Sequence, residues 1–503
     1  MNDVSSLAGP EEVFPTDSDL AALVRRLAGA RVLVLGDIIL DRYVVGTASR
    51  LSPEAPIPVL RPVSQRATLG GAANVAVNVA SLGGEATLIG VTGDDDAGSE
   101  LRNLLAVTPH VRPMLVTVAG RATTAKTRFM VGSHQLLRLD EETSFPLTDH
   151  DASAVIRQFT ACLDRAEIVV LSDYAKGVLG DVVLREVLLL CRLHGKRIIA
   201  DPKRFDFATY TGAEILTPNE SEVSQATRID AADDAGAERA GQAALLATGG
   251  SAVLVTRSAK GLSLVRRGLP TLHMPTRARA VADVSGAGDT LVASLALSLA
   301  AGGTLVQAAM LANLTAGLSV AKPGTATVLR EELSGALHLR EVVATDQKIC
   351  ELPAAAARIA GWRHAGLRVG FTNGCFDLIH PGHVRLLAQA RAACDRLVVG
   401  LNTDTSVRRL KGPTRPVQNE TARATVMASL ASVDLVVLFD QDTPYEMIGA
   451  LHPDVLVKGA DYTIDQVIGA DLVRGWGGDV VLAELEQGHS TTGTIRRMIS
   501  TPV

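Results

Sequence analysis

From Arg31 onward, short Val/Ile/Leu runs alternate with longer stretches of helical period, and that alternation leaves few folds open. Arg31–Gly36, Ala86–Val91, Ile168–Ser172, Arg197–Ala200, Ile215–Thr217 and Ala252–Thr256 are almost wholly apolar, as strands covered on both faces must be. Between them, Ala72–Leu82, Asp149–Leu163, Val178–Leu193 and Ser221–Ala247 are long and periodic enough for helices. The repetition predicts an α/β fold with a mostly parallel sheet between helical layers. Tyr43–Val63, with its prolines, and Arg112–Leu139, rich in β-branched and charged residues, break the pattern. They are expected to form polar-faced strands outside the main sheet, a small β flap over a pocket.

A second unit follows. Residues 331–365 hold charges and the alanine run Ala354–Ala357, and read as a helical linker. Arg368–Thr372, Pro381–Ala393 and Arg396–Leu401 then make a βαβ opening, with Pro in the first helical turn. Val433–Phe439, Val455–Val457 and Val480–Leu482 continue that sheet. The expected organisation is a disordered tail over residues 1–20, a domain over 21–330, the linker, and a domain over 366–503. At 47% hydrophobic but 3% aromatic residues, the cores must be built from Ala, Leu and Val.

Composition narrows the function classes. A net charge of −5 without a polybasic block makes nucleic acid an unsuitable partner. Cys162, Cys191, Cys350, Cys375 and Cys394 lack metal-ligand or disulfide spacing, and suit a reducing cytoplasm. The N-terminus lacks the basic-then-apolar order of a secretory signal, and apolar stretches such as Leu291–Ala301 are shorter than the ~18 residues of a membrane span. A cytoplasmic enzyme without a membrane partner is expected.

Gly286-Ala287-Gly288-Asp289 opens the apolar stretch Thr290–Ala301. Small residues at a helix start leave unpaired amides facing an anion, and Asp289 beside them can take the proton of an attacking alcohol. Thr217-Pro218-Asn219-Glu220-Ser221-Glu222 ends a strand and starts a helix, and Asn219 and Glu222 can organise Mg²⁺ through water. Gly70-Gly71-Ala72-Ala73-Asn74 opens another helix where a sugar can approach bare backbone, while Asp37 and Asp41 can bind sugar hydroxyls. For Asp37 alone, a turn-capping role is the commoner one. The P-loop sequence is absent.

These pieces, in this order, resemble the ribokinase family over about residues 25 to 330. The resemblance implies a ribokinase-like α/β sandwich, with Asp289 as base and the Gly286, Ala287 and Gly288 amides as anion hole. It also implies an ATP and magnesium segment of Asn219, Glu220, Ser221 and Glu222, joined by Thr256 and Gly261. Asp37, Asp41, Gly70, Gly71 and Asn74 would meet the sugar. Gly36-Asp37, Asp41-Arg42-Tyr43, Ser52-Pro53-Glu54-Ala55-Pro56 and Leu171–Gly177 look like the branch that phosphorylates heptose 7-phosphate. In that branch a basic residue should grip the existing phosphate, with Arg138 and Lys176 as candidates.

Further on, Gly374-Cys375-Phe376-Asp377-Leu378-Ile379-His380-Pro381-Gly382-His383 puts two imidazoles in one first helical turn. No base is needed when an anionic sugar phosphate attacks the α-phosphate of ATP; the site must instead stabilise charge on phosphorus and pyrophosphate. Zinc ligation is disfavoured, because a His-Glu-x-x-His spacing is missing. Ser490, Thr491 and Thr492 precede Ile495–Ile499 and offer a second anion cradle.

The two motifs together resemble the cytidylyltransferase-like nucleotidyltransferases over about residues 366 to 503, which implies a Rossmann-like domain. Lys411-Gly412-Pro413 with Arg415-Pro416, and Val457–Tyr462, match the subgroup that transfers AMP to heptose 1-phosphate; Ala460 stands where a glycine is common. The resemblance implies Gly374, Phe376, Asp377, His380, His383, Lys411, Ser490, Thr491 and Thr492 as the ATP site, with Cys375 a packing residue. The whole chain thus resembles the bifunctional heptose 7-phosphate kinase and heptose 1-phosphate adenylyltransferases. ATP, Mg²⁺ and sugar phosphates are the implied ligands, and the flap suggests a homodimer through the kinase domain. The alternatives are the same reactions on another sugar phosphate, or a silent nucleotide sensor.

Overall fold

A computed structural model describes residues 15–132, 134–276, 283–322, 324, 326–364, 366–460 and 463–484. The chain divides into two compact units, the first ending at His338. The first holds α1 (Asp17–Arg26), β1 (Arg31–Gly36), β2 (Ile38–Thr47), β3 (Arg61–Gly71), α2 (Ala72–Ser81), β4 (Glu85–Gly93), α3 (Asp96–Ala106), β5 (Val111–Val118), β6 (Ala125–Val131) and β7 (His134–Glu141). It continues with α4 (Asp149–Leu163), β8 (Ile168–Ser172), α5 (Asp181–Leu193), β9 (Arg197–Asp201), β10 (Ile215–Leu216), α6 (Glu220–Thr227), α7 (Asp234–Thr248), β11 (Ala252–Thr256), β12 (Leu262–Arg266), β13 (Leu269–Met274), α8 (Ala287–Ala300) and α9 (Leu305–Ser319).

Among the described residues the main sheet has nine strands in the order β13-β12-β11-β10-β9-β8-β1-β4-β5. All pairs from β11 to β5 are parallel, and β12 runs antiparallel to both its neighbours. Alternate residues feed opposite cores, as a period of two requires. Val32 and Val34 of β1 pack with Leu20, Val75, Leu295 and Leu311 from α1, α2, α8 and α9. Leu33 and Leu35 pack with Val155, Val187 and Ala240 from α4, α5 and α7 on the other face. The chain passes from β1 to β4 and β5 on one side, then crosses to β8, β9, β10 and β11 on the other. The crevice at the carboxyl ends of β1 and β8 is the switch point at which such sheets bind ligands.

The flap is a separate sheet in the order β3-β2-β6-β7. Four expectations for this unit are corrected, two of them at the flap. β5, assigned from sequence to the flap, joins the main sheet beside β4, because Met114, Val116 and Val118 pack on the core. Residues 48–60 hold only an isolated bridge, Leu51 with Pro58, since the Ser-Pro-rich run cannot sustain a ladder. The tail expected through residue 20 already contains α1, capped by Thr16 and anchored by the fully buried Leu20. The single helix expected over Ser221–Ala247 is two: Arg228 turns left-handed at φ 58°, and the Asp233 side chain caps α7.

The second unit follows within α10 (Arg330–Lys348), then β14 (Ile349–Cys350), α11 (Leu352–His364), β15 (Val369–Gly374), α12 (Pro381–Ala392), β16 (Arg396–Asn402) and α13 (Asp404–Lys411). It ends with α14 (Glu420–Ala428), β17 (Leu435–Phe439), α15 (Tyr445–Leu451), β18 (Val455–Gly459), α16 (Ala470–Gly475) and β19 (Asp479–Ala483). The strand order is β14-β17-β16-β15-β18-β19, all parallel, with the switch point between β15 and β18. The segment expected to be a purely helical linker thus supplies β14, an edge strand of two residues. Among the described residues no helix is long and apolar enough to cross a membrane.

Candidate active sites

Asp289 sits in the first turn of α8 and is 5% exposed. Its Oδ2 accepts from the Asn74 amide at 2.7 Å and its Oδ1 from the Tyr174 hydroxyl at 2.6 Å. Burial pushes its pKa up to about 6, helped by the Asp41 charge and opposed by those two donors. Asn74 is itself held by Asn78, whose amide donates to the Asn74 backbone and side-chain oxygens at 3.0 and 3.1 Å. Gly286 caps α8 at φ 78°, and a Cβ on Gly288 would meet only open space; the Ala287 amide donates to the Val284 carbonyl at 3.3 Å, so the Gly286 and Gly288 amides are the ones at the helix start open to an anion.

The structure separates the two aspartates read as sugar ligands. Asp37 is 1% exposed, and its carboxylate accepts from the amides of Tyr174, Lys176 and Val178 at 2.9, 3.0 and 3.1 Å. It fixes the loop that carries Tyr174, the turn-holding role that a lone Asp at this position more commonly has. Asp41 pairs with Arg128 on the flap and stays beside the base. Gly70 and Gly71 are required by crowding: a Cβ would come within 2.2 Å of Asp41 Oδ2 at the first, and 2.4 Å of the Asp37 carbonyl at the second, where φ is 58°.

Asn219 caps α6 in a reciprocal box, its Oδ1 accepting from the Glu222 amide and Glu222 Oε2 from the Asn219 amide, both at 2.9 Å. Lys203 donates to Glu222 Oε1 at 2.7 Å. Ser221 Oγ accepts from Gln225 at 2.8 Å, and Glu220 lies 3.5 Å from Lys260. Thr256 forms a bridge with Asn219, and Gly261, at φ 85°, packs so tightly on Met274 that a Cβ would lie 2.0 Å from its carbonyl oxygen. Sequence reasoning missed Asp201 at the end of β9: burial and the Glu222 charge push its pKa up to about 8. Arg138 and Lys176, the phosphate candidates, are bound to Asp140 and Glu142 at 2.8 and 2.7 Å.

In the second unit, His380 caps α12 and His383 lies in its first turn, with their rings stacked at 3.8 Å. Phe376, at φ 42°, meets the His383 ring edge-on at 5.1 Å. Burial, then the neighbouring His380, lowers the His383 pKa to about 4. Its Nδ1 and the Asn373 Oδ1 are buried without a hydrogen bond among the described residues. Lys458 reaches across the switch point to the Asn373 carbonyl at 3.1 Å, and the Lys411 charge is felt by His383. Gly374 ends β15 beneath the Phe376 ring.

Asp377 anchors a loop: it pairs with Arg415 and accepts from the Val417 and Gln418 amides at 2.7 and 3.2 Å. Arg423, fully buried, was also missed; it donates to the carbonyls of Cys375 and Gln418 and to Asp404, tying the motif to α13. Ser490, Thr491 and Thr492 lie outside the described residues. Among those described, no group of three or more His, Cys, Asp and Glu is arranged for a metal.

A base clamped beside helix-start amides at one switch point, and paired imidazoles at another, define a sugar kinase joined to a nucleotidyltransferase. The pfkB carbohydrate kinase family matches residues 30–332, and the cytidylyltransferase-like family residues 371–485. The chain is 54% identical to the "Bifunctional protein HldE" of Caulobacter vibrioides, over 96% of this chain and 100% of that one. It is 51% identical to its namesake in Paramagnetospirillum magneticum, over 96% and 99%. The chain belongs to the family of these bifunctional HldE proteins. The phosphofructokinase-2 of Escherichia coli, solved with potassium, shares the kinase fold at a TM-score of 0.53 and 20% identity, over 62% of this chain and 99% of that one.

Proposed function

We propose that the first unit phosphorylates D-glycero-β-D-manno-heptose 7-phosphate at O1 with ATP, and that the second transfers AMP from ATP to heptose 1-phosphate, giving ADP-heptose for lipopolysaccharide core. The observation that carries this reading is the base Asp289, held at both oxygens beside the open amides of α8, in one chain with the stacked His380 and His383. The end-to-end match to bifunctional relatives supports it.

In the first reaction Asp289, ionised at neutral pH, accepts the O1 proton while O1 bonds to the γ-phosphorus. The bond from that phosphorus to the β-γ bridging oxygen breaks, and ADP leaves. The Gly286 and Gly288 amides and the positive end of α8 hold the moving phosphoryl group. The nucleotide lies along Asn219–Glu222, Thr256 and Gly261. Asp201 and Glu222 are hard oxygen donors whose mutual repulsion a hydrated cation relieves, so the pair fits Mg²⁺ held through water. When bound, Mg²⁺ neutralises phosphate charge.

In the second reaction the sugar phosphate oxygen attacks the α-phosphorus and pyrophosphate departs, with no proton to remove. His383 stays neutral near pH 7 and offers a ring N–H rather than a full charge. Lys411 and Lys458 supply the positive charge. A separate phosphatase must act between the two steps. The free cysteines suit the cytoplasm, and β7, exposed along its length with Leu137 and Leu139 on the face opposite Arg138, suits pairing of two flaps into a homodimer. Assaying ADP and pyrophosphate release with a panel of sugar phosphates tests the reading: heptose esters should be used with the highest kcat/KM, and preference for a hexose or pentose ester would overturn the sugar assignment.

A further inference from the structure

Strand register aligns four side chains across the flap. Tyr43 of β2 is paired with Arg66 of β3 and with Arg128 of β6, and Arg128 with Arg138 of β7. Directly paired residues share a face, so the row runs Arg66, Tyr43, Arg128, Arg138. The Arg66 and Arg128 guanidinium carbons lie 4.6 and 5.3 Å from the centroid of the Tyr43 ring between them. Asp41, two residues back on β2 and therefore on the same face, is the residue whose charge reaches Asp289. The row thus lies on the substrate side of the flap, one step farther from the base than Asp41.

Two groups in this row are unsatisfied. Tyr43 is 6% exposed, and its hydroxyl is buried without a hydrogen bond among the described residues. A buried hydroxyl is costly to leave unpaired. Arg66 touches the Tyr43 ring but pairs with no carboxylate among the described residues, whereas each carboxylate nearby is already engaged. Asp41 is held by Arg128, Asp140 by Arg138 and Lys126, and Asp283 accepts from the Ser285 and Gly324 amides at 2.8 and 3.1 Å. An excess cation beside an unused hydroxyl is what a bound anion requires.

We infer that Arg66, Tyr43 and Arg128 seat the distal phosphate of the sugar substrate, the one not made in the reaction. This rests on the sugar-phosphate kinase reading above. The nucleotide segment at the ends of β10 and β11 lies on the other side of the switch point, so the row serves the sugar and not ATP. Arg138 and Lys176, each bound to a carboxylate, are the outer charges of the same region. The row fixes which end of the sugar faces Asp289: the phosphate anchors the far end, and O1 is left at the base.

The test compares heptose 7-phosphate with unphosphorylated heptose in the full-length protein carrying Arg66→Gln or Tyr43→Phe. Arg66→Gln should lower kcat/KM for the phosphorylated sugar about tenfold or more, mostly through KM, and Tyr43→Phe about threefold to tenfold. Both should leave kcat/KM for the unphosphorylated sugar and KM for ATP within about twofold, so the preference for a phosphorylated substrate collapses. Inorganic phosphate, competing with the sugar phosphate in the parent protein, should lose potency in both variants. Equal losses on the two sugars, or a loss confined to ATP, would overturn the subsite. If the parent enzyme ignored heptose 7-phosphate but accepted another sugar ester, the heptose reading would fall, and the same comparison on that ester and its free sugar would still decide the subsite.

Discussion

The Tyr174 hydroxyl donates to Oδ1 of Asp289 at 2.6 Å, across 115 residues of sequence, while Asn74 holds the other oxygen. Both donors stabilise the carboxylate against burial that lifts its pKa to about 6. The base works ionised, so kinase kcat/KM should fall as pH drops through about 6. Tyr174→Phe removes a contact that lowers this pKa, and the acid limb should move to higher pH. A pH–rate profile checks it; an unmoved limb would detach Tyr174 from the base.

Asp289→Asn should cut bisphosphate formation by about a hundredfold to ten-thousandfold, the usual worth of a general base. Pyrophosphate release from ATP and heptose 1-phosphate should be untouched. Parallel assays on one preparation measure both, and equal losses would contradict independent sites.

His383 remains neutral until about pH 4, because burial and His380 oppose its charge. Adenylyl transfer should therefore lack an acid limb from this residue near pH 6, where the kinase loses its base. His383→Ala should reduce pyrophosphate release and spare the kinase. Unchanged release would remove the ring from the mechanism.

Arg423 is fully buried and joins the carbonyls of Cys375 and Gln418 to Asp404. Arg423→Ala leaves those acceptors without a donor and should destabilise the second unit by about 3–5 kcal/mol. Chemical denaturation followed through Trp362 and Trp476, the protein's two tryptophans and both in that unit, reads it. Kinase activity should persist at denaturant concentrations where adenylyl transfer is lost.

The elements legible in the sequence are those whose residues carry their own reason. β8 and β11 match their expected bounds because every residue but the last is apolar, and α4 because Thr148 caps its start. β14 escaped because two residues hold no pattern; only its pairing with β17 defines it. Asp289 and its glycines were visible as one local motif, and His380 and His383 as another. Tyr174 and Asp201 were not, since each acquires its role from a partner brought close by the fold. The partners of Asp37 were hidden for the same reason, its acceptors being filled by a loop more than a hundred residues away.

Phosphorus-31 NMR of the protein with ATP and Mg²⁺, first with heptose 7-phosphate and then with heptose 1-phosphate, tests the central claim that two pockets direct attack to opposite ends of the triphosphate. The first mixture should show ADP and a new anomeric phosphate without pyrophosphate; the second, pyrophosphate and a sugar-linked diphosphate without ADP. ADP as the sole nucleotide product from both mixtures would contradict it.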